Sequence, residues 1–297
     1  MQKSEEGVIM QTRSSGLLSR RAKHRIGKLF AYLALFIIIF VVDLPLISMV
    51  GTAFKNQDAV LSTTSLFPQL GDWALQNFID VFQKTSFGMN IVNSAIVSIL
   101  ATVFCVIIAA MAGYGLSRFR GKFFTGYSVL LLLMQMFPLM LLLIPMFMLY
   151  SSYGMVNNLS SLVIYYTASN LAFNIMMIRS FFDSLPRELE EAAKVDGCSG
   201  FVAFLRIIFP ISLPGLITVS ILTFLNSWNE YTFASLLLRK PDIQTLTVGL
   251  TKFVQQSDTN WGYLMAASTI AVLPALLFLA FAQKYLVQGL TAGAVKG

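Results

Sequence analysis

The chain has 297 residues, 56% of them hydrophobic and only 12% charged, with a mean hydropathy of +0.72. That composition excludes an ordinary soluble enzyme and fits a polytopic membrane protein built as one membrane domain. The net charge of +7, from 21 Lys and Arg against 14 Asp and Glu, fits a nucleic-acid patch or a topological bias, and the placement of the charges favours the second.

Met1 to Lys28 is polar and carries Arg20, Arg21, Lys23, Arg25 and Lys28. It is too long and hydrophilic for the basic region of a cleaved signal peptide, so a cytoplasmic tail over 1–28 is expected, leading into an uncleaved first span. A helix needs about 20 mostly apolar residues to cross the hydrocarbon core. Blocks of that length fall at 29–50, 91–117, 123–148, 159–181, 211–236 and 263–284. The expected fold is therefore all-α, with six transmembrane helices in a domain over 29–286, a tail over 287–297 and both termini cytoplasmic. On that topology the outer side receives only Lys55, Lys84, Arg239, Lys240 and Lys252 of the 21 basic residues, as the positive-inside rule requires.

Span one closes on Asp43-Leu44-Pro45. Asp43 is either a pathway carboxylate or a residue placed at the interface end of its helix. Gly51 to Asn90, with Pro68, Gly71, Trp73 and an amphipathic piece at Leu75 to Phe82, is expected to form an extracytoplasmic lip in which Trp73 and Phe78 are also candidate interfacial aromatics. Span two holds Ala109, Ala112, Gly113 and Gly115, small residues that let helices approach closely in lipid. Gly121-Lys122 after it resembles a phosphate loop only superficially. Five residues, not four, separate Gly115 from Gly121, and Phe123 stands where Ser or Thr must hold magnesium. No ATP site is evident, so the energy is expected to come from elsewhere.

Span three contains Gln135, Pro138 and Pro145, and its prolines free backbone carbonyls and kink the helix. Met134, Met136, Met140, Met146 and Met148 read as adaptable packing, since no His or Cys accompanies them. Span four places Tyr166, Asn170 and Asn174 on one helix face, suited either to gluing helices together or to lining a path.

Arg187 to Pro214 is a polar, acidic interruption between hydrophobic blocks. Its first half predicts a short helix, with Ser184 as candidate cap, Pro186 in the first turn, and Glu188, Glu190 and Glu191 near the positive end of the dipole. Leu189, Ala192 and Ala193 share an apolar stripe, and Gly197 sits where a helix turns off left-handed. Such a helix is too short to span a membrane and suits a partner's groove, although a solvated loop helix without function has the same appearance. Span five carries Asn226-Ser227-Trp228-Asn229-Glu230-Tyr231, whose amides, carboxylate and aromatics suit hydroxyl-rich, partly apolar sugars. Glu230 has a structural reading too, as the partner of another subunit. Cys105 and Cys198 are not expected to pair, His24 stands alone, and no nucleophile–base set is present.

Glu191-Ala192-Ala193, Gly197 four residues on, and Ile207 with Phe209-Pro210 beyond it resemble the EAA signature of permease subunits of bacterial ABC importers, with Phe209 where that pattern has Leu. The segment before span two, the span-five cluster, Thr245 to Leu250, Met265 to Ser268 and the end from Gln288 to Gly297 are similar to the carbohydrate, MalG-like branch. The resemblance implies a coupling loop over 183–206, with Glu190, Glu191, Ala192, Ala193, Asp196 and Gly197 docking on a cytoplasmic ATPase. It implies a sugar passage near Asn226, Trp228, Asn229, Glu230 and Tyr231. The implied partners are a second similar permease, two ATPase subunits that bind ATP and Mg, an extracytoplasmic binding protein and the lipid bilayer of the bacterial cytoplasmic membrane. No metal or cofactor is implied for this chain, which is expected not to be an enzyme. The rival reading is a secondary transporter driven by an ion at Asp43 or Glu230, for which inverted repeats would be expected and none is convincing.

Overall fold

The computed structural model describes the backbone of residues 20–254 and 259–294 and the side chains of residues 27–254 and 259–281. Most of the expected amino-terminal tail, and the last three residues of the carboxy-terminal one, lie outside the described residues. The chain divides into two compact units, 1–48 and 49–297. Apart from an isolated bridge between Lys55 and Trp73, the described residues form helices and turns.

The first unit holds most of α1 (Arg20–Ala53), which begins within the expected tail. Its apolar side chains from Leu29 to Val42 are largely exposed, Phe36 stacks on Phe40, and Asp43 is partly exposed.

In the second unit, α2 (Gln57–Ser62) and α3 (Gln76–Lys84) precede α4 (Phe87–Arg118). The following pair, α5 (Lys122–Met136) and α6 (Leu139–Ser152), meets at 96°. The kink expected in span three is thus a sharp corner, and two helices replace a single one over 123–148. Phe137 is extended, as the ring of Pro138 demands of its neighbour, and Pro138 has no N–H with which to continue α5. Of the five methionines on this pair, Met146 packs inward while Met134, Met136, Met140 and Met148 are exposed.

Next come α7 (Leu159–Asp183), the short α8 (Glu188–Val195), and α9 (Gly200–Ala203). A π-helical turn over Phe204–Ile208 leads into α10 (Phe209–Ile211), and the chain bends 74° into α11 (Leu213–Asn229). The helix expected over 211–236 is interrupted at Glu230, which is extended, before α12 (Thr232–Leu237). α13 (Leu246–Leu250) and α14 (Trp261–Ala294) complete the chain. Among the described residues four helices are long and apolar enough to cross a membrane, or six segments if each bent pair counts as one.

The most extensive helix contact joins α4 to α7. At Gly113 a Cβ would lie 3.1 Å from the α7 backbone at Ile175 O and Arg179 N, so the small residue sets the approach there. Gly115 faces open space. Three apolar clusters surround this pair. One stacks Tyr165 on Phe233 at 3.8 Å, one gathers Phe182, Phe204 and Ile208, and one places Phe224 between Trp228 and Phe278.

Gly113→Val is expected to destabilise the detergent-solubilised chain by about 1–3 kcal/mol through overpacking, whereas Gly115→Ala leaves thermal unfolding unchanged or slightly improved. At the other end of the core, Asp80 accepts hydrogen bonds from Lys84 Nζ (2.7 Å), Tyr263 Oη (2.6 Å) and Gln76 Nε2 (2.6 Å), tying α3 to α14. Lys84 first, then Tyr263 and Gln76, pull the Asp80 carboxyl down to about 2. A depressed folded-state value means stabilisation that is complete above the unfolded value near pH 4 and is lost as the pH falls toward 2. Asp80→Asn is expected to remove that acid-dependent part of the unfolding profile, measured by thermal melts between pH 2 and 6.

Candidate functional site

α8 has a defined end and two unlike faces. Gly197 lies at φ +81°, its N–H donates to Lys194 O, and Cys198 N–H donates to Ala193 O. This double closure is the left-handed stop expected from the glycine. The start differs from expectation. α7 continues through Asp183, so Ser184 ends that helix, with its hydroxyl donating to Phe181 O, and is not available to cap α8. Pro186 precedes the helix, and Arg187 supplies the carbonyl that accepts from Glu190 N and Glu191 N.

Glu188, Glu191, Ala192 and Val195 form an exposed stripe at three- and four-residue spacing, continued by the exposed Asp196 and Gly197. Glu190 and Ala193 are turned inward, 9% and 3% exposed. The stripe read through Leu189, Ala192 and Ala193 is therefore split, because Ala193 packs inside and Ala192 does not.

Glu190 is the hub of a buried polar cluster. Its Oε2 accepts from Tyr114 Oη at 2.9 Å, and its Oε1 accepts from Arg118 Nε at 2.5 Å. Arg118 Nη1 donates to Ser117 Oγ and to Phe182 O, Ser117 Oγ donates to Asp183 Oδ1 at 2.6 Å, and Arg187 Nη2 reaches Ser117 O. The last turn of α4, the last turn of α7 and the inner face of α8 are thereby bonded to one another. The Arg118 charge also sits at the carbonyl end of α4, where the helix dipole favours a cation. Sequence reasoning did not single out Tyr114 or tie Arg118 to this site. The available signal was their four-residue spacing on α4 together with a glutamate three residues before a buried alanine.

The span-five cluster divides in the same way. Trp228 is 3% exposed, stacks on Phe224, and donates its indole N–H to Ala271 O at 3.2 Å, so it packs in the core. Asn226, Asn229 and Tyr231 are exposed. Glu230 accepts from Tyr166 Oη at 2.8 Å and from the amides of Phe233 and Ala234, which makes it the cap of α12. Asn170 Oδ1 accepts from Asn226 Nδ2, and Asn174 Nδ2 donates to Thr223 Oγ1 and Cys105 Sγ. Each member of the Tyr166, Asn170, Asn174 stripe therefore bonds across to α11 or its end, which is the gluing role. Asn226 and Asn229 are exposed at the surface, and Asn229 Nδ2 donates back to Leu225 O.

Beyond this seam, Asn90 donates to the carbonyls of Pro241 and Gln244, Asn93 to those of Asp242 and Gln244, and Ser94 Oγ accepts from Leu246 N. These bonds hold the loop before α13 against the first turns of α4. Gly249 is required there, since a Cβ would meet Asn90 Oδ1 at 2.4 Å. Among the described residues no group of three or more His, Cys, Asp or Glu is placed to hold a metal.

Truncating Glu190 strands the 9%-exposed Arg118 side chain without its carboxylate. Glu190→Ala is expected to cost about 3–5 kcal/mol, measured by unfolding in detergent, with Glu190→Gln milder. The double variant with Arg118→Ala is expected to lose much less than the sum of the two single losses.

Residues 105–292 match the family described as the binding-protein-dependent transport system inner membrane component. The probable ABC transporter permease protein YurM of Bacillus subtilis is 37% identical over 93% of this chain and 91% of its own length. The diacetylchitobiose uptake system permease protein DasC of Streptomyces coelicolor is 36% identical over 85% of this chain and 91% of its own. A solved bacterial ABC transporter involved in import of the acidic polysaccharide alginate contains a chain of the same fold, with a TM-score of 0.78 at 22% identity over 90% of this chain and 98% of that one. By the family match and by these relatives, the chain belongs to the inner membrane components of binding-protein-dependent transport systems.

Proposed function

We propose that this chain is the multi-pass permease subunit of an ATP-driven importer that moves a sugar or oligosaccharide, handed over by an extracytoplasmic binding protein, across the bacterial cytoplasmic membrane. Its relatives serve uptake of such compounds, and the open amides of Asn226 and Asn229 beside Tyr231 suit hydroxyl and ring-face contacts. In this reading six spans lie within 29–286, each bent pair acting as one, and both termini are cytoplasmic, as the basic residues at 1–28 and 118–122 favour.

The observation that carries the coupling role is the two-faced α8. Its inner face is bonded to α4 and α7, while Glu188, Glu191, Ala192 and Val195 project outward, uncovered by any of the described residues. That exposed stripe, with Asp196 and Gly197, docks on a cytoplasmic ATPase that holds the ATP and Mg, and Glu190 and Ala193 anchor the docked helix to the membrane domain. Two such ATPases and a second permease complete the assembly. Closure of the ATPases on ATP favours one arrangement of the paired permeases over the other, and differential binding is what converts hydrolysis into alternating access.

Reversing charge at an exposed position separates docking from folding. Glu191→Lys is expected to leave thermal unfolding unchanged while lowering binding-protein-stimulated ATP hydrolysis by the reconstituted complex at least about tenfold. Normal stimulation in the variant, or transport without any ATPase, would overturn the proposal in favour of an ion-driven carrier.

A further inference from the structure

Between the end of α4, the start of α5 and the end of α7 lies a cavity of about 670 Å³ that borders the polar cluster behind α8 and shares Ser117, Arg118, Asp183 and Arg187 with it. Four arginines line it, Arg118, Arg120, Arg179 and Arg187, against a single carboxylate, Asp183. Three of the four are held in place, Arg118 by Glu190 and Ser117 and the other two by bonds within the cleft. Arg179 Nη1 donates to Ser128 Oγ on α5 at 2.6 Å while its Nε lies 3.5 Å from Asp183, and Arg187 Nη2 donates to Ser117 O. Arg118 Nη2 is buried with no acceptor among the described residues. The charge of this wall is therefore only partly answered from within the chain, and a buried donor without a partner asks for an explanation.

Apolar side chains line it too, Phe124, Val129 and Leu132 from α5 and Met176 from α7. A second cavity of about 770 Å³ lies farther along α5 and α7, lined by Leu130, Phe173 and Ala168 and by Leu139 and Leu142 of α6. It is apolar except for Gln135 and Ser169, whose side chains are bonded to Leu131 O and Tyr166 O. From Arg179 to Ala168 is about 16 Å at helical rise, close to the half-thickness of about 15 Å that one leaflet contributes to a bilayer core. A cationic pocket at the end of an apolar trough one leaflet deep has the chemistry of an anionic amphiphile. A protein segment would need a carboxylate or phosphate at one end and an unbroken apolar run behind it.

We propose that the α5–α7 cleft is a binding site for an anionic phospholipid, with the headgroup phosphate on Arg120, Arg179 and Arg187 and an acyl chain lying along the trough. Basic pockets between membrane helices bind lipid headgroups by this electrostatic route. Only the choice of the cytoplasmic leaflet rests on the topology proposed above. Lipid retention involves no ATP hydrolysis, so failure of the coupling experiment and failure of this one are distinct results.

The test is native mass spectrometry of the full-length chain, delipidated and exchanged into nanodiscs of phosphatidylglycerol or of phosphatidylcholine. Phosphatidylglycerol is expected to remain bound at one per chain, and phosphatidylcholine is not. Arg120→Gln, at an exposed residue, is expected to lower retention about fivefold, and the double variant with Arg179→Gln about thirtyfold. Lys240→Gln, which removes the same charge at a distant position, is expected to change nothing. Equal retention of the two lipids, or undiminished retention by a folded Arg120→Gln variant, would overturn the site. Displacement of phosphatidylglycerol by millimolar inorganic phosphate would assign the arginines to a free anion instead, and expulsion of the lipid on assembly with a second permease would assign the cleft to that subunit. Either result sinks the lipid proposal.

Discussion

The close approach of α4 to α7 is the constraint on which the rest depends. Inside a bilayer the hydrophobic effect does not drive helices together, so association relies on van der Waals contact, small residues and hydrogen bonds. Gly113 supplies the small residue, with the α7 backbone where its Cβ would be. Asn174 supplies a buried hydrogen bond to Cys105 of α4 while reaching Thr223 of α11 with the same nitrogen. Several of the polar contacts are then hung on one member of this pair. Asn90 to Ser94 of α4 hold the loop before α13, Tyr166 of α7 holds Glu230, and Tyr114 and Arg118 of α4 hold α8.

Where the helices break, the backbone groups they release must be satisfied, and the three breaks do this differently. At Glu230 the carboxylate itself accepts the amides of Phe233 and Ala234, so the residue that interrupts the span also starts the next helix. At Pro138 the missing N–H removes the demand for an acceptor, and Phe137 N turns back to Met134 O. Before Pro210 the chain widens into a π-helical turn in which Phe209 N reaches Phe204 O. The result is a set of corners with no exposed strand edge among the described residues, the condition that hydrocarbon imposes on any chain within it.

Features governed by local rules were legible in the sequence. The helical class, the Gly197 stop and the close contact at Gly113 each follow from residue type and spacing, and each appears in the structure. Features decided by competition between distant segments were not. Ser184 has the chemistry of a cap, but α7 extends far enough to consume it. Trp228 has the chemistry of a sugar platform, but a carbonyl of α14 lies within reach of its indole and the core takes it. Periodicity marked 123–148 and 211–236 as single apolar runs, and it carries no information about a 96° corner at Pro138 or a cap at Glu230.

The neighbouring carboxylates Glu190 and Glu191 show why this distinction matters for mechanism. One residue apart on a helix is about 100° of rotation, enough to place one acid inside and the other outside. A contact helix that merely lay on its domain would slide when pushed. The inner acid prevents this, because displacing α8 from α4 means removing a carboxylate from Arg118 and Tyr114 in a site nearly closed to water, a cost of several kcal/mol. A coupling free energy between sites is typically only about 1–3 kcal/mol. If α8 docks on an ATPase as proposed, the bond behind the helix is stronger than the coupling it would carry, and a push at Glu191 would move α4, and with it α7, before it detached α8.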